Sequence, residues 1–174
     1  MRPASHRWPR KATTSSGDPF FIRPATAADL EGQRAFIRGL SAESRYLRFL
    51  HAAREPDGDW LRTPGLGWDR ALTLLATAAA DTEAQIIGMA SYAADASRDC
   101  EFAVAIADDW QCRGIGSTLV TVLFECAAGA GVPLIYGHIL AGNPRMIELA
   151  EWLGMVVDPP TTGGDTVRAW RRLN

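Results

Sequence analysis

Asp108-Asp109-Trp110-Gln111-Cys112-Arg113-Gly114-Ile115-Gly116-Ser117-Thr118 is the stretch on which the fold turns. It follows a run that reads as a strand, Glu101 to Ile106, and precedes one that reads as a helix, Ser117 to Ala130. Glycines between a strand and a helix let the backbone turn sharply and come close to a ligand. The first amides of the helix lack intrahelical partners and sit at the positive end of the helix dipole. Such a junction suits a phosphate group, and Arg113 adds a full positive charge beside it. A plain tight turn has the same glycine spacing, so context has to decide between the two. A dinucleotide fingerprint fits poorly, because Leu119 stands where a third glycine belongs and the loop lies late in the chain. The lysine of an ATP-binding phosphate loop is also absent.

Working outward, 174 residues with 47% apolar content suffice for one domain with a buried core. A net charge of −2 gives no reason to expect nucleic acid or membrane as a partner. The three cysteines, Cys100, Cys112 and Cys126, are odd in number and lack metal-ligand spacing, so no metal is expected. Neither a secretory signal nor a long apolar run is evident, which points to a reducing, cytoplasmic setting. Cys112 lies near a helix start, where a thiolate is favoured. A nucleophilic role needs a base partner, and the sequence offers none.

Residues 1–19 are polar and basic and read as a flexible arm. Phe20 to Arg23 reads as a strand. Thr26 caps a helix over Ala27 to Leu40, and Ser41 starts a second one that runs to Leu50. Tyr46 and Phe49 are expected in the core. His51 to Gly67 reads as a loop, with Glu55, Asp57 and Asp59 as an acidic lip and His51 on the surface. Strands are expected over Ala71 to Ala79, Ala84 to Ala93, Glu101 to Ala107 and Pro133 to Leu140. Asn143-Pro144 opens a helix that stops at Gly154. Two short strands, Met155 to Val157 and Thr166 to Arg172, close the chain. In the central strand Glu101, Ala103 and Ala105 face one way, and Phe102, Val104 and Ile106 the other. Glu101 at the head of an apolar strand reads either as a surface charge or as a partly buried acid raised toward neutral pH. Tyr136 and His138 read as sheet residues, with a smaller share for His138 lining an acceptor site.

The arrangement Gln111-x-x-Gly114-x-Gly116, between a strand and a helix, resembles the acyl-CoA pyrophosphate loop of the GNAT superfamily of N-acetyltransferases. Leu40-Ser41-Ala42-Glu43-Ser44-Arg45-Tyr46-Leu47-Arg48-Phe49 and Glu101-Phe102-Ala103-Val104 look like the acetyltransferase domain of bacterial protein lysine acetyltransferases. The element order is also similar over about Phe20 to Arg172. The resemblance implies an α/β fold, with a mixed, mainly antiparallel central sheet flanked by helices, as one domain over residues 20–174. It implies acetyl-CoA as cofactor, with Val104 and Ile106 beside the pantetheine arm. Gln111, Cys112, Arg113, Gly114, Ile115, Gly116 and Ser117 would lie around the pyrophosphate, and Asn143 at the cofactor arm. Glu101 is implied as the general base.

Many members carry a tyrosine, as acid for the thiolate, where this chain has Ala150; the lysine acetyltransferases often lack it as well. Their regulatory domain has no counterpart in 174 residues. A small amine therefore stands beside a protein lysine as the acceptor, and a homodimer is compatible with the sequence. Two other classes compete. A module that senses acyl-CoA without turnover would hold Glu101 away from the thioester, and a nucleotide-phosphate binder would lack splayed strands beside Gly114.

Overall fold

The strand Ala71–Thr77 (β3) is buried at every position, which requires cover on both faces of the sheet. The computed structural model describes residues 8–50, 67–81, 84–160 and 164–173. The acidic-lip reading of Glu55, Asp57 and Asp59, and the surface reading of His51, lie outside those residues.

Around β3 the chain adds Arg10–Thr13 (β1), Pro19–Pro24 (β2), Ile86–Ala94 (β4), Cys100–Ile106 (β5), Leu134–Leu140 (β6), Val156–Val157 (β7) and Thr166–Arg172 (β8). The helices are Leu30–Gly39 (α1), Ala42–Phe49 (α2), Ile115–Gly129 (α3) and Pro144–Trp152 (α4). Sheet order is β1-β2-β3-β4-β5-β6-β8-β7. All neighbours are antiparallel except β5 and β6, which are parallel and joined through α3. The expected mixed, mainly antiparallel sheet is what the chain forms.

One face of the sheet is covered by α3, whose Leu119, Val120, Leu123 and Phe124 cluster with Leu72, Leu74, Ile87 and Phe102. The other is covered by α1, where Phe36, Ile37 and Leu40 meet Leu75, Met89 and Ala105. The alternation along β5 thus serves two cores at once, with Phe102 in one and Ala105 in the other. Phe49 packs at the edge of the second cluster as expected. Tyr46 does not enter the core; it is 46% exposed on α2.

The arm reading fails for residues 10–19. Arg10 to Thr13 pairs antiparallel with Ile22 to Pro19 through a turn in which Gly17 has φ 92°. This is an edge strand, and Arg10, Lys11 and Thr13 keep it polar, as sheet edges commonly are. That polarity made it read as an arm. Its Arg10 reaches Glu125 on α3 at 2.8 Å.

Near the start of α1, Arg23 forks onto Asp29, with Nη1 and Nη2 donating at 2.8 and 2.6 Å. Both side chains are buried. Burial alone would lift the Asp29 carboxyl, but hydrogen bonds from Arg23 and from the Thr26 amide and hydroxyl outweigh it. They hold the carboxyl at about 2.

Candidate active site

Strands β5 and β6 pair only at Cys100–Ile135 and Glu101–Tyr136. Beyond that point they part. Gly137 marks the divergence: a Cβ there would stand 2.8 Å from Phe102 Cε1 and 3.2 Å from the Phe102 carbonyl oxygen. Only a glycine lets β6 pass the Phe102 ring so closely. Between the splayed strands opens a cleft of about 520 Å³. Its walls are β5 from Phe102 to Ile106, β6 from Gly137 to Ile139, the 111–117 loop, and residues of α2 and α4. Facing the cleft, β5 has no strand partner past Glu101 among the described residues, so its amide groups are available to a peptide-like chain. Val104 and Ile106 line this stretch.

The loop closes one end. Gly114 is the N-cap of α3 with φ 79°, the left-handed region that glycine enters without strain. A Cβ on Gly114 would meet nothing within 4 Å, so the space in front of the helix start is open. The first helical hydrogen bond runs from the Thr118 amide to the Gly114 carbonyl at 3.2 Å, which leaves the amides of Ile115, Gly116 and Ser117 ahead of it. Ser117 and Thr118 hydroxyls both donate to the same carbonyl at 2.9 Å. Ile115 is 1% exposed and anchors the turn in the core. Cys112 is exposed, lines the cleft and has φ 58°. Open space, free amides and a helix dipole at one end of a long cleft fit the pyrophosphate and arm of a CoA thioester.

Two expectations for this loop change. The Arg113 guanidinium lies over the Trp110 ring, 5.1 Å from its centroid, and is not among the cleft-lining side chains. Its backbone remains in the loop, held by the Ser15 amide at 2.9 Å. Gln111 does line the cleft, but its Nε2 donates to the Ile106 carbonyl and to Ser44 Oγ, each at 3.1 Å. It therefore ties the loop to β5 and α2. Asp108 completes that tie, accepting from the Ser41 amide (2.8 Å), the Ser41 hydroxyl (2.8 Å) and the Ser44 hydroxyl (2.7 Å). Burial works against the Asp108 charge, yet these donors hold its carboxyl below its ordinary value. No local pattern joins Ser41 to Asp108, since 67 positions separate them.

The other end is built from side chains. Glu101 is exposed rather than partly buried, its side chain 52% accessible, which corrects the buried-acid expectation. Its Oε1 lies 3.0 Å from His138 Nδ1, and it is His138 that lines the cleft. Tyr136 turns to Asp95, donating at 3.0 Å, and burial together with that bond lifts its phenol to about 12. Arg48 also lines the cleft; burial lowers its guanidinium to about 10, opposed by the Glu101 charge, so it stays cationic at neutral pH.

Asn143 caps α4, its Oδ1 accepting from the Met146 amide at 3.2 Å, and it also lines the cleft. Ala150 is fully buried in the core and does not line the cleft. A tyrosine there would overpack the core before it could serve as an acid. Among the described residues no tyrosine lines the cleft. Burial pushes the thiols of Cys100 and Cys126 up to about 11 and about 12, so neither is a ready nucleophile.

Residues 34–155 match the Acetyltransferase (GNAT) family. Over 142 residues, 80% of this chain and 76% of the relative, it is 32% identical to an acetyltransferase of Pseudomonas aeruginosa, PA5475. Among solved structures, the GNAT domain of PAT from S. lividans superposes with a TM-score of 0.81 at 23% identity, covering 95% of this chain and 97% of that one. The yncA protein of Salmonella typhimurium, solved with its cofactor acetyl-CoA, gives 0.68 at 20% identity over 89% and 94%. The chain belongs to the GNAT acetyltransferase family. It is an acyltransferase, and acetyl-CoA is its acyl donor. The splayed strands beside Gly114 count against an unrelated nucleotide-phosphate site.

Proposed function

We propose that this enzyme moves the acetyl group of acetyl-CoA to a primary amine by direct attack. We take the side chain of a protein lysine as the leading acceptor and a small amine as the alternative. The observation that carries the proposal is the cleft between β5 and β6, with a helix-start loop at one end and His138, in contact with the Glu101 carboxylate, at the other. On this reading the amides of Ile115 to Ser117 hold the pyrophosphate, and the open edge of β5 at Val104 and Ile106 pairs with the pantetheine arm. Asn143, at the start of α4, closes on the same arm. The amine arrives from the Glu101 side. A lysine amine is almost fully protonated at neutral pH, its pKa being about 10.4. Attack therefore depends on a group that takes up a proton, and Glu101 supplies the carboxylate for this step. Water completes the thiolate's protonation, since no tyrosine lines the described part of the cleft.

The three free thiols suit a reducing compartment, and the cytoplasm is the proposed setting. Thiol release from acetyl-CoA, followed over lysine peptides and a panel of small amines, tests the reading. Release that depends on a primary amine supports it, and the better acceptor class names the substrate. Binding of acetyl-CoA with no release on any amine would favour the sensor module instead.

A further inference from the structure

The reading above leaves the Glu101 carboxylate beside the cleft rather than in it. Glu101 is absent from the cleft wall, whereas His138, two residues past the last β5–β6 pair, is part of it. A solvated ion pair would show the same 3.0 Å contact. The distinction lies in which ring nitrogen is used and where the other one is left. An ionised carboxylate only accepts hydrogen bonds. The contact at Nδ1 therefore needs the Nδ1–H form of the ring, and in neutral imidazole this leaves the lone pair on Nε2. The ring is also held edge-on by Tyr136, with centroids 5.7 Å apart and planes at 83°.

Resting on the acetyltransferase reading, we infer that His138 is the residue that takes the proton from the acceptor amine, with Glu101 as its positioning partner. The arrangement follows the logic by which a carboxylate fixes the tautomer of a catalytic histidine and stabilises its charged form. The step balances as follows. Nε2 accepts one proton from the alkylammonium. The freed nitrogen pair attacks the thioester carbon, a C–N bond forms, and the C–S bond breaks with its electrons on sulfur. The remaining surplus proton on nitrogen passes through water to that sulfur, which leaves as the thiol, and the imidazolium later loses its proton to solvent.

Among the described residues, charged groups face the ring from several elements. Glu101 on β5 favours the imidazolium. Arg168 on β8, the cross-strand neighbour of His138, carries its guanidinium over the Tyr136 ring at 4.7 Å and opposes it. Arg48 on α2, which is coupled to Glu101, opposes it as well. Tyr136 on β6, with its raised phenol, is neutral near pH 7. Glu43 on α2, Asp108 ahead of the loop and the pair Arg145 and Glu148 on α4 are the other charged groups of the described wall.

The test combines kinetics with a readout that needs no cofactor. His138→Gln, Glu101→Gln and the double variant are compared with wild type, with acetyl-CoA affinity followed by calorimetry. His138→Gln is expected to keep that affinity and lose roughly 10²–10⁴-fold in kcat/KM near neutral pH, the usual worth of such proton transfer. The acid limb of the pH–rate profile should vanish in His138→Gln. The double variant should be little worse than the worse single one, since the two act as a unit. In the free protein, long-range nitrogen–proton NMR should show the ring signal lost in His138→Gln as the Nδ1–H tautomer, and as a mixture in Glu101→Gln.

A His138→Gln enzyme within about threefold of wild type overturns the inference, as do an Nε2–H tautomer in wild type and fully multiplicative losses. If Glu101→Gln is slow while His138→Gln is not, this inference fails and the acetyltransferase reading stands. Wild type that does not bind acetyl-CoA sinks the reading itself, and the inference with it.

Discussion

The two ends of the cleft are made in different ways. At the loop end the work falls to backbone: three amides at the start of α3, a glycine at φ 79° and the open edge of β5. At the other end, proposed for the acceptor, it falls to side chains from separate elements, Glu101 on β5, His138 on β6 and Arg48 on α2. A backbone site needs only the right local conformation, which neighbouring residues dictate. A side-chain site needs the sheet to be assembled first. Between the two lies the joint formed by Asp108, Ser41, Ser44 and Gln111, which fixes α2 to the loop.

The largest expected effect separates binding from chemistry. Glu101→Gln should lower turnover by roughly 10²–10⁴-fold at neutral pH, in the range of lost acid–base catalysis. The loss should shrink as pH rises toward the amine pKa of about 10.4, where free amine appears unaided. A pH–rate profile of both forms checks this, and equal rates at neutral pH would remove Glu101 from the proton transfer.

A substitution outside both ends serves as the control. Asp29→Ala strips the partner from buried Arg23 and should cost about 3–5 kcal/mol of stability, read by denaturant unfolding. The pH sign follows from the depressed carboxyl. Its folded value is about 2 against an ordinary 3.8, so the pair stabilises fully above that ordinary value and is lost as pH falls toward 2. The difference is about 2 kcal/mol, and the variant should show no such loss over that window. A smaller change is expected from Gly137→Ala, whose Cβ would crowd the Phe102 ring. It should cost about 1–3 kcal/mol and weaken acceptor use more than acetyl-CoA binding. Steady-state constants for the two substrates show whether the strand divergence belongs to the acceptor half. Smallest is Asp108→Ala, at about 1 kcal/mol. If the joint couples the halves, KM should rise for both substrates; a change confined to one would assign Asp108 to that half alone.

The same contrast explains what the sequence reveals. The strand–loop–helix order, the bounds of β3 to β8 within a few residues, and the glycine loop are written in local periodicity and in Gly114 and Gly116. Asn143 is legible as a cap because Pro144 follows it. The dyad of Glu101 and His138 is not, because 37 positions separate the two and only the parallel pairing of β5 with β6 brings them together. A strand as polar as Arg10 to Thr13 carries no apolar alternation to betray it, and its pairing rests on backbone bonds to β2. Arg113 shows the limit from the other side: its charge is legible, but its seat over Trp110 is a tertiary choice.

The central claim is that the start of α3 holds acetyl-CoA while the pair of Glu101 and His138 serves the acceptor. Calorimetric titration of acetyl-CoA into wild type, Glu101→Gln and a folded Gly114→Glu variant tests it most directly. Gly114→Glu places a side chain and a negative charge in the open space before the helix. Wild type and Glu101→Gln should bind alike, and Gly114→Glu should show no binding. Equal affinity in all three would contradict the account.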